Sequence, residues 1–141
     1  MMVKKFELAG GFYEIDYDDS RLDALLENLG IEPASSADYT KRTVLYYSAG
    51  PKWLRQVYDK IAAEDSIKFN TVVMYIKKGL DHAVYNGKLK GIDDLVQGTI
   101  YDYDYGFTNK EFIALICDYM QNRGYIKVRE ITRKEYYEFD E

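Results

Sequence analysis

Val3-Lys4-Lys5-Phe6-Glu7-Leu8, then Ala9-Gly10-Gly11, then Phe12-Tyr13-Glu14-Ile15-Asp16-Tyr17 is the stretch that decides the fold class. Both flanks alternate apolar and polar residues, so each puts one apolar face on a strand. Phe6 and Leu8 share one face, as do Tyr13, Ile15 and Tyr17, with charged residues between them. The glycines supply the positive φ angles that a tight hairpin turn needs. A β-hairpin is therefore expected over Val3–Leu8 and Phe12–Tyr17.

Helical signals begin directly after it. Asp18-Asp19-Ser20 offers capping oxygens, and Leu22, Leu25, Leu26 and Leu29 fall at i, i+3, i+4 and i+7 ahead of Gly30. This spacing predicts a helix over about 21–29 with Gly30 as its stop. Residues 31–41 read as a loop because Pro33 and Ser35-Ser36 interrupt the periodicity. Thr43-Val44-Leu45-Tyr46-Tyr47 is β-branched and aromatic, which predicts a buried strand, with a helix as the alternative. Gly50-Pro51 opens the next expected helix, with Pro51 in its first turn. Trp53, Leu54, Val57, Tyr58 and Ile61 trace its apolar face.

Asn70 or Asp65 is expected to cap a helix carrying Val72, Val73, Ile76, Leu80, Ala83 and Val84. Ile92–Gln97 reads as a short helical piece, and Thr99–Tyr105 as an exposed strand or extended loop. Thr108-Asn109-Lys110-Glu111 has capping-box spacing, and so does Thr132-Arg133-Lys134-Glu135. The first opens a helix to about Asn122, with Phe112, Ile113, Ile116, Cys117 and Met120 on one face. The second opens a last short helix after an alternating strand over Tyr125–Ile131. The architecture expected is α+β over a single domain, residues 1–141. A small antiparallel sheet, from the N-terminal hairpin plus one or two later strands, is packed by four or five helices. Its core draws on Phe6, Leu22, Leu25, Leu26, Trp53, Leu54, Val57, Ile61, Val72, Ile76, Phe112, Ile113, Ile116 and Met120.

A length of 141 residues with 47% hydrophobic and 30% charged residues fits a globular chain and excludes a disordered tail. Charge breaks up the opening Met1–Glu7, and no apolar run is long enough to span a bilayer, so the expected address is the cytoplasm. The net charge of −5 is uneven: residues 12–38 carry −7, residues 41–90 carry +6 and residues 91–141 carry −5. Tyrosine is over-represented, at 15 against six phenylalanines and one tryptophan. Its stiff ring and polar tip suit contact surfaces as well as core edges.

Chemistry-bearing motifs are few. Cys117 and His82 are the single cysteine and the single histidine. They cannot build a zinc site of four nitrogen and sulfur ligands. Cys117 falls on an apolar helical stripe, and His82 cannot face its neighbour Asp81, so both read as structural residues. Asp102-x-Asp104 imitates the start of a calcium loop, but Gly106 comes one place early and Ile113 stands where glutamate is needed. Gly10-Gly11 lacks the rest of a dinucleotide fingerprint. No metal and no cofactor are expected.

What remains is binding. Tyr101, Tyr103 and Tyr105 alternate with Asp102 and Asp104, so an extended segment would show rings on one side and carboxylates on the other. Tyr136 and Tyr137 repeat the mixture beside Glu138. Such faces suit a basic partner surface. The favoured reading is a non-catalytic protein-binding module: an acidic, tyrosine-rich inhibitor of a nucleic-acid-binding enzyme such as a defence nuclease. That profile is common among small proteins of mobile elements, an analogy of composition only. Exposed tyrosines suit a homodimer equally well. The alternative is binding of nucleic acid or a nucleotide through Lys52, Arg55, Lys60 and Lys68. A small enzyme using carboxylates and tyrosines is the third reading.

Overall fold

The hairpin forms with a two-residue turn. In the computed structural model, which describes residues 1–86 and 108–138, β1 (Met2–Leu8) pairs antiparallel with β2 (Gly11–Tyr17). The turn residues Ala9 and Gly10 have φ of 51° and 83°, a twist that matches the flanking strands. On the other side of β2 lies β3 (Ile126–Ile131), also antiparallel, with Tyr17 opposite Ile126 and Phe12 opposite Ile131. The sheet order is thus β1-β2-β3.

Six helices accompany the sheet among the described residues: α1 (Asp19–Leu29), α2 (Ala34–Tyr47), α3 (Leu54–Asp65), α4 (Phe69–Tyr85), α5 (Asn109–Asn122) and the single turn α6 (Arg133–Tyr136). The α+β expectation holds. The expected helix at Ile92–Gln97 and the segment Thr99–Tyr105 lie outside the described residues.

Helix ends follow the local chemistry. Asp18 caps α1 by accepting from Arg21 N–H, and Gly30 stops it at φ 80°. Thr108–Glu111 and Thr132–Glu135 both close as capping boxes. Neither Asn70 nor Asp65 caps α4; its first turn follows Lys68, which makes no side-chain cap bond.

The region 31–47 departs most from expectation. It is one helix, α2, and not a loop followed by a strand. Its buried stripe begins with hydroxyl residues, since Ser36, Thr40 and Thr43 are fully buried at i, i+4 and i+7. Thr40 and Thr43 each donate to the carbonyl four residues earlier at 2.7 Å, and Ser48 does the same beyond the helix end. Back-bonding lets Thr40, Thr43 and Ser48 lie in an apolar interface with their hydroxyls satisfied, whereas the buried Ser36 hydroxyl has no hydrogen-bond partner among the described residues. Gly50 also has another role. At φ 79° it closes the exit of α2, while Pro51 stays outside α3. Gln56 accepts from Trp53 N–H and fixes the start of α3 at Leu54. Trp53 is thus the residue before the helix and projects outward, 57% exposed, contrary to its expected place in the core. Leu54 is only half-buried.

The other expected core residues are buried in one cluster between the inner sheet face and α1–α5. The outer sheet face carries a smaller cluster. The Tyr136 ring packs tilted on Phe12, 4.8 Å between centroids, beside buried Ile131, and Lys5 donates to the Glu135 carbonyl at 2.9 Å.

One polar knot joins β1, α2 and α3. The Tyr46 ring is 1% exposed, its hydroxyl accepts from Lys4 at 3.0 Å, and it donates to Glu64 at 2.8 Å. Arg42 reaches Asp65 at 2.7 Å and Glu64 at 3.1 Å. Burial, then the Glu64 carboxylate, raises the Tyr46 pKa and keeps the phenol protonated. Tyr46→Phe should lower stability by about 2 kcal/mol, because the lost bonds involve charged groups. Urea unfolding checks this, and a cycle with Glu64→Gln should show coupling above about 0.5 kcal/mol. Additive effects would mean the knot holds nothing together.

Candidate functional site

Beside the leucine stripe of α1, Asp19, Asp23 and Glu27 recur at i, i+4 and i+8. On α2, Ala34, Ala37, Asp38 and Lys41 share one side. Where the two helices diverge there is an open groove of about 540 Å³. Leu26, Ile31, Pro33, Ala34 and Ala37 form its apolar lining, with Asp23, Glu27, Glu32 and Asp38 around them. Lys41, the one cation on the rim among the described residues, is bound by Asp19 and, at 2.8 Å, by Asp23. Burial disfavours its charge, but the bonds to those two carboxylates outweigh this and hold its pKa above the usual lysine value. Lys41 is thereby spent on two acids, while Glu27 makes no ion pair among the described residues. Four of the eight acids in the −7 sequence block therefore line this groove.

Glu32 and Pro33 also border a second open groove of about 760 Å³ along α4, lined by Met74, Tyr75, Lys77, Lys78 and Tyr85. His82 closes the far side of this junction. Its Nδ1 lies 3.0 Å from the Gly30 carbonyl and its Nε2 3.4 Å from Glu32. It fastens the end of α1 to α4. Cys117 is far from these partners in its bonding. Its Sγ lies 3.4 Å from the Val44 carbonyl and 3.5 Å from Ser48 Oγ, and burial pushes the thiol up to about 12. Neither groove is lined by Cys117, Tyr46 or Glu64.

Of the expected partner-binding residues, Tyr101, Asp102, Tyr103, Asp104 and Tyr105 lie outside the described residues. Tyr136 is half-buried on Phe12, and Tyr137 is 55% exposed beside it. The residues of the basic set each have their own surroundings. Lys60 turns toward Glu64 at 3.8 Å and sits over the Tyr46 ring. Lys52 covers the exposed Trp53 ring at 5.3 Å, Arg55 covers Phe69 at 5.6 Å, and Lys68 is exposed at the start of α4. The acidic groove was not expected as a site. Its sequence signal was the i, i+4, i+8 acidic stripe of α1, but the second wall needed α2 to be a helix.

Comparison with protein-family models, curated proteins and solved structures finds no match. No group of three or more His, Cys, Asp or Glu among the described residues could hold a metal ion. No helix among them is long and apolar enough to cross a membrane.

Proposed function

We propose that this chain is a non-catalytic protein-binding module whose α1–α2 groove takes a basic segment of a partner protein. A nucleic-acid-binding enzyme is the kind of partner whose surface carries such a segment, and binding there would inhibit it. The observation that carries this reading is the ring of Asp23, Glu27, Glu32 and Asp38 around an apolar lining, where Lys41 is the one lining cation among the described residues and is already paired with Asp19 and Asp23. Asp38 also lies 3.8 Å from Arg42 and Glu32 3.4 Å from His82. Apolar contact supplies affinity in such an interface, while the carboxylates steer the approach and select a basic partner.

The test is affinity capture from a cytoplasmic lysate, with and without nuclease, comparing the native chain with the double variant Glu27→Lys, Asp38→Lys. A basic protein retained after nuclease treatment and lost at least about tenfold with the variant is the expected outcome. The same proteins captured equally by the variant would remove the groove from the argument.

A second reading is favoured by one observation, the exposure of Trp53. An exposed indole flanked by Lys52 and near Arg55 could stack a base while the cations hold phosphate. In the same experiment this reading would appear as retained nucleic acid or nucleotide without a protein.

A further inference from the structure

The solvent side of α4 has a regularity that the monomer does not use. Its core stripe is Val72, Ile76, Gly79, Leu80 and Ala83. Around the helix from it, Thr71, Met74, Lys78, Asp81 and Tyr85 repeat at spacings of three, four, three and four. That is the a/d spacing of a helix seam. All five line the α4 groove. Met74 is 69% and Tyr85 87% exposed, unusually high for side chains of that size in one row. Lys78 is exposed and has no carboxylate partner among the described residues, whereas Asp81 lies 3.6 Å from Lys77.

This seam is complementary to itself in one direction only. In an antiparallel pair, a positions meet d positions. With the two-fold axis between Gly79 and Leu80, Lys78 meets the partner's Asp81 and Met74 meets the partner's Tyr85. Each contact occurs twice. The pairing gives two ion pairs flanked by two sulfur–aromatic contacts. A parallel pair would set lysine against lysine and aspartate against aspartate. We propose that α4 is the seam of an antiparallel homodimer, with the occupant of the groove beside Pro33 being α4 of a second copy. This inference does not rest on the reading of the acidic α1–α2 groove, although Glu32 and Pro33 border both grooves.

Sedimentation equilibrium on the full chain tests it, with Lys78→Asp and Asp81→Lys made separately. The native chain is expected to show a concentration-dependent dimer. Each single variant places like charges in both central contacts and should associate at least about tenfold more weakly. An equimolar mixture of the two variants should recover native association, because each then meets an opposite charge. Loss of folding cannot mimic that recovery, and helical circular dichroism of each variant should match the native chain. A native chain that stays monomeric at about 1 mM, a single variant that still dimerises, or a mixture that does not recover would each overturn the proposal.

Discussion

Gly79→Leu is expected to destabilise the chain by at least about 3 kcal/mol, at the upper end of what overpacking costs. Gly79 is buried in α4 where that helix crosses α2. A Cβ placed on it would lie 2.9 Å from Ile31 Cγ2 and 2.9 Å from Ser36 Cβ. The Ile31 methyl can rotate away. Ser36 Cβ cannot, because it is fixed to the α2 backbone, so the helices themselves must separate. Alanine at this position is the sharper test. Helix propensity alone predicts that Gly79→Ala gains about 1 kcal/mol. The close approach to Ser36 is expected to reverse the sign and leave a net loss of about 1 kcal/mol. Ser36→Gly in the alanine background should return part of that loss by removing the opposing Cβ. Urea unfolding of the three variants decides it. A stabilised Gly79→Ala protein would show that the crossing is looser than described.

Loss of stability between pH 9 and pH 12 is the second large effect. Burial pushes the Cys117 thiol from the ordinary 9.0 up to about 12, the nearby Ser48 hydroxyl easing the shift slightly. Burial likewise pushes the Tyr58 phenol from 10.0 up to about 12. The Tyr58 hydroxyl makes no hydrogen bond among the described residues, although Asn109 stands near enough to ease the shift. Both pKa values are raised by folding, so both groups stabilise the native state fully below their unfolded pKa. That contribution is lost as pH rises toward the folded value. For Cys117 the window is about pH 9 to 12, and for Tyr58 about pH 10 to 12. At 1.36 kcal/mol per pKa unit the losses approach about 4 and about 3 kcal/mol. Their sum is comparable to the whole stability of a small domain. Urea midpoints measured at pH 8 to 11 under reducing conditions should fall steeply above pH 9. Cys117→Ala should flatten roughly two-thirds of that fall. Parallel curves for the two proteins would show that the thiol does not ionise on unfolding.

Local signals were legible wherever one kind of chemistry acted alone. The glycine turn, the Leu22–Leu29 stripe with its Asp18 cap, and both threonine capping boxes needed only neighbouring residues, and each formed as the sequence implied. Helix α2 was hidden because its buried face starts with Ser36, Thr40 and Thr43. These count as polar in a periodicity search until the Thr40 and Thr43 hydroxyls are seen to bond back to the helix. Trp53 misled for the opposite reason. Its position fits the α3 stripe, but Gln56 starts the helix one residue after it. The candidate groove inherited the first difficulty. Its acidic wall on α1 could be read from spacing, whereas the wall containing Ala37, Asp38 and Lys41 existed only once 34–47 was known to be helical.

The sheet order has a consequence for synthesis. The hairpin emerges first, yet its central strand β2 waits for β3, which begins 109 residues after Tyr17. At about 5–20 residues per second, translation leaves that edge open for roughly 5–20 seconds. During this interval Ile15 and Tyr17 can be covered by the helices as they appear, but the hydrogen-bonding rim of β2 cannot be satisfied by its native neighbour. The nascent chain therefore offers a free β edge to whatever passes the ribosome until Ile126–Ile131 has emerged.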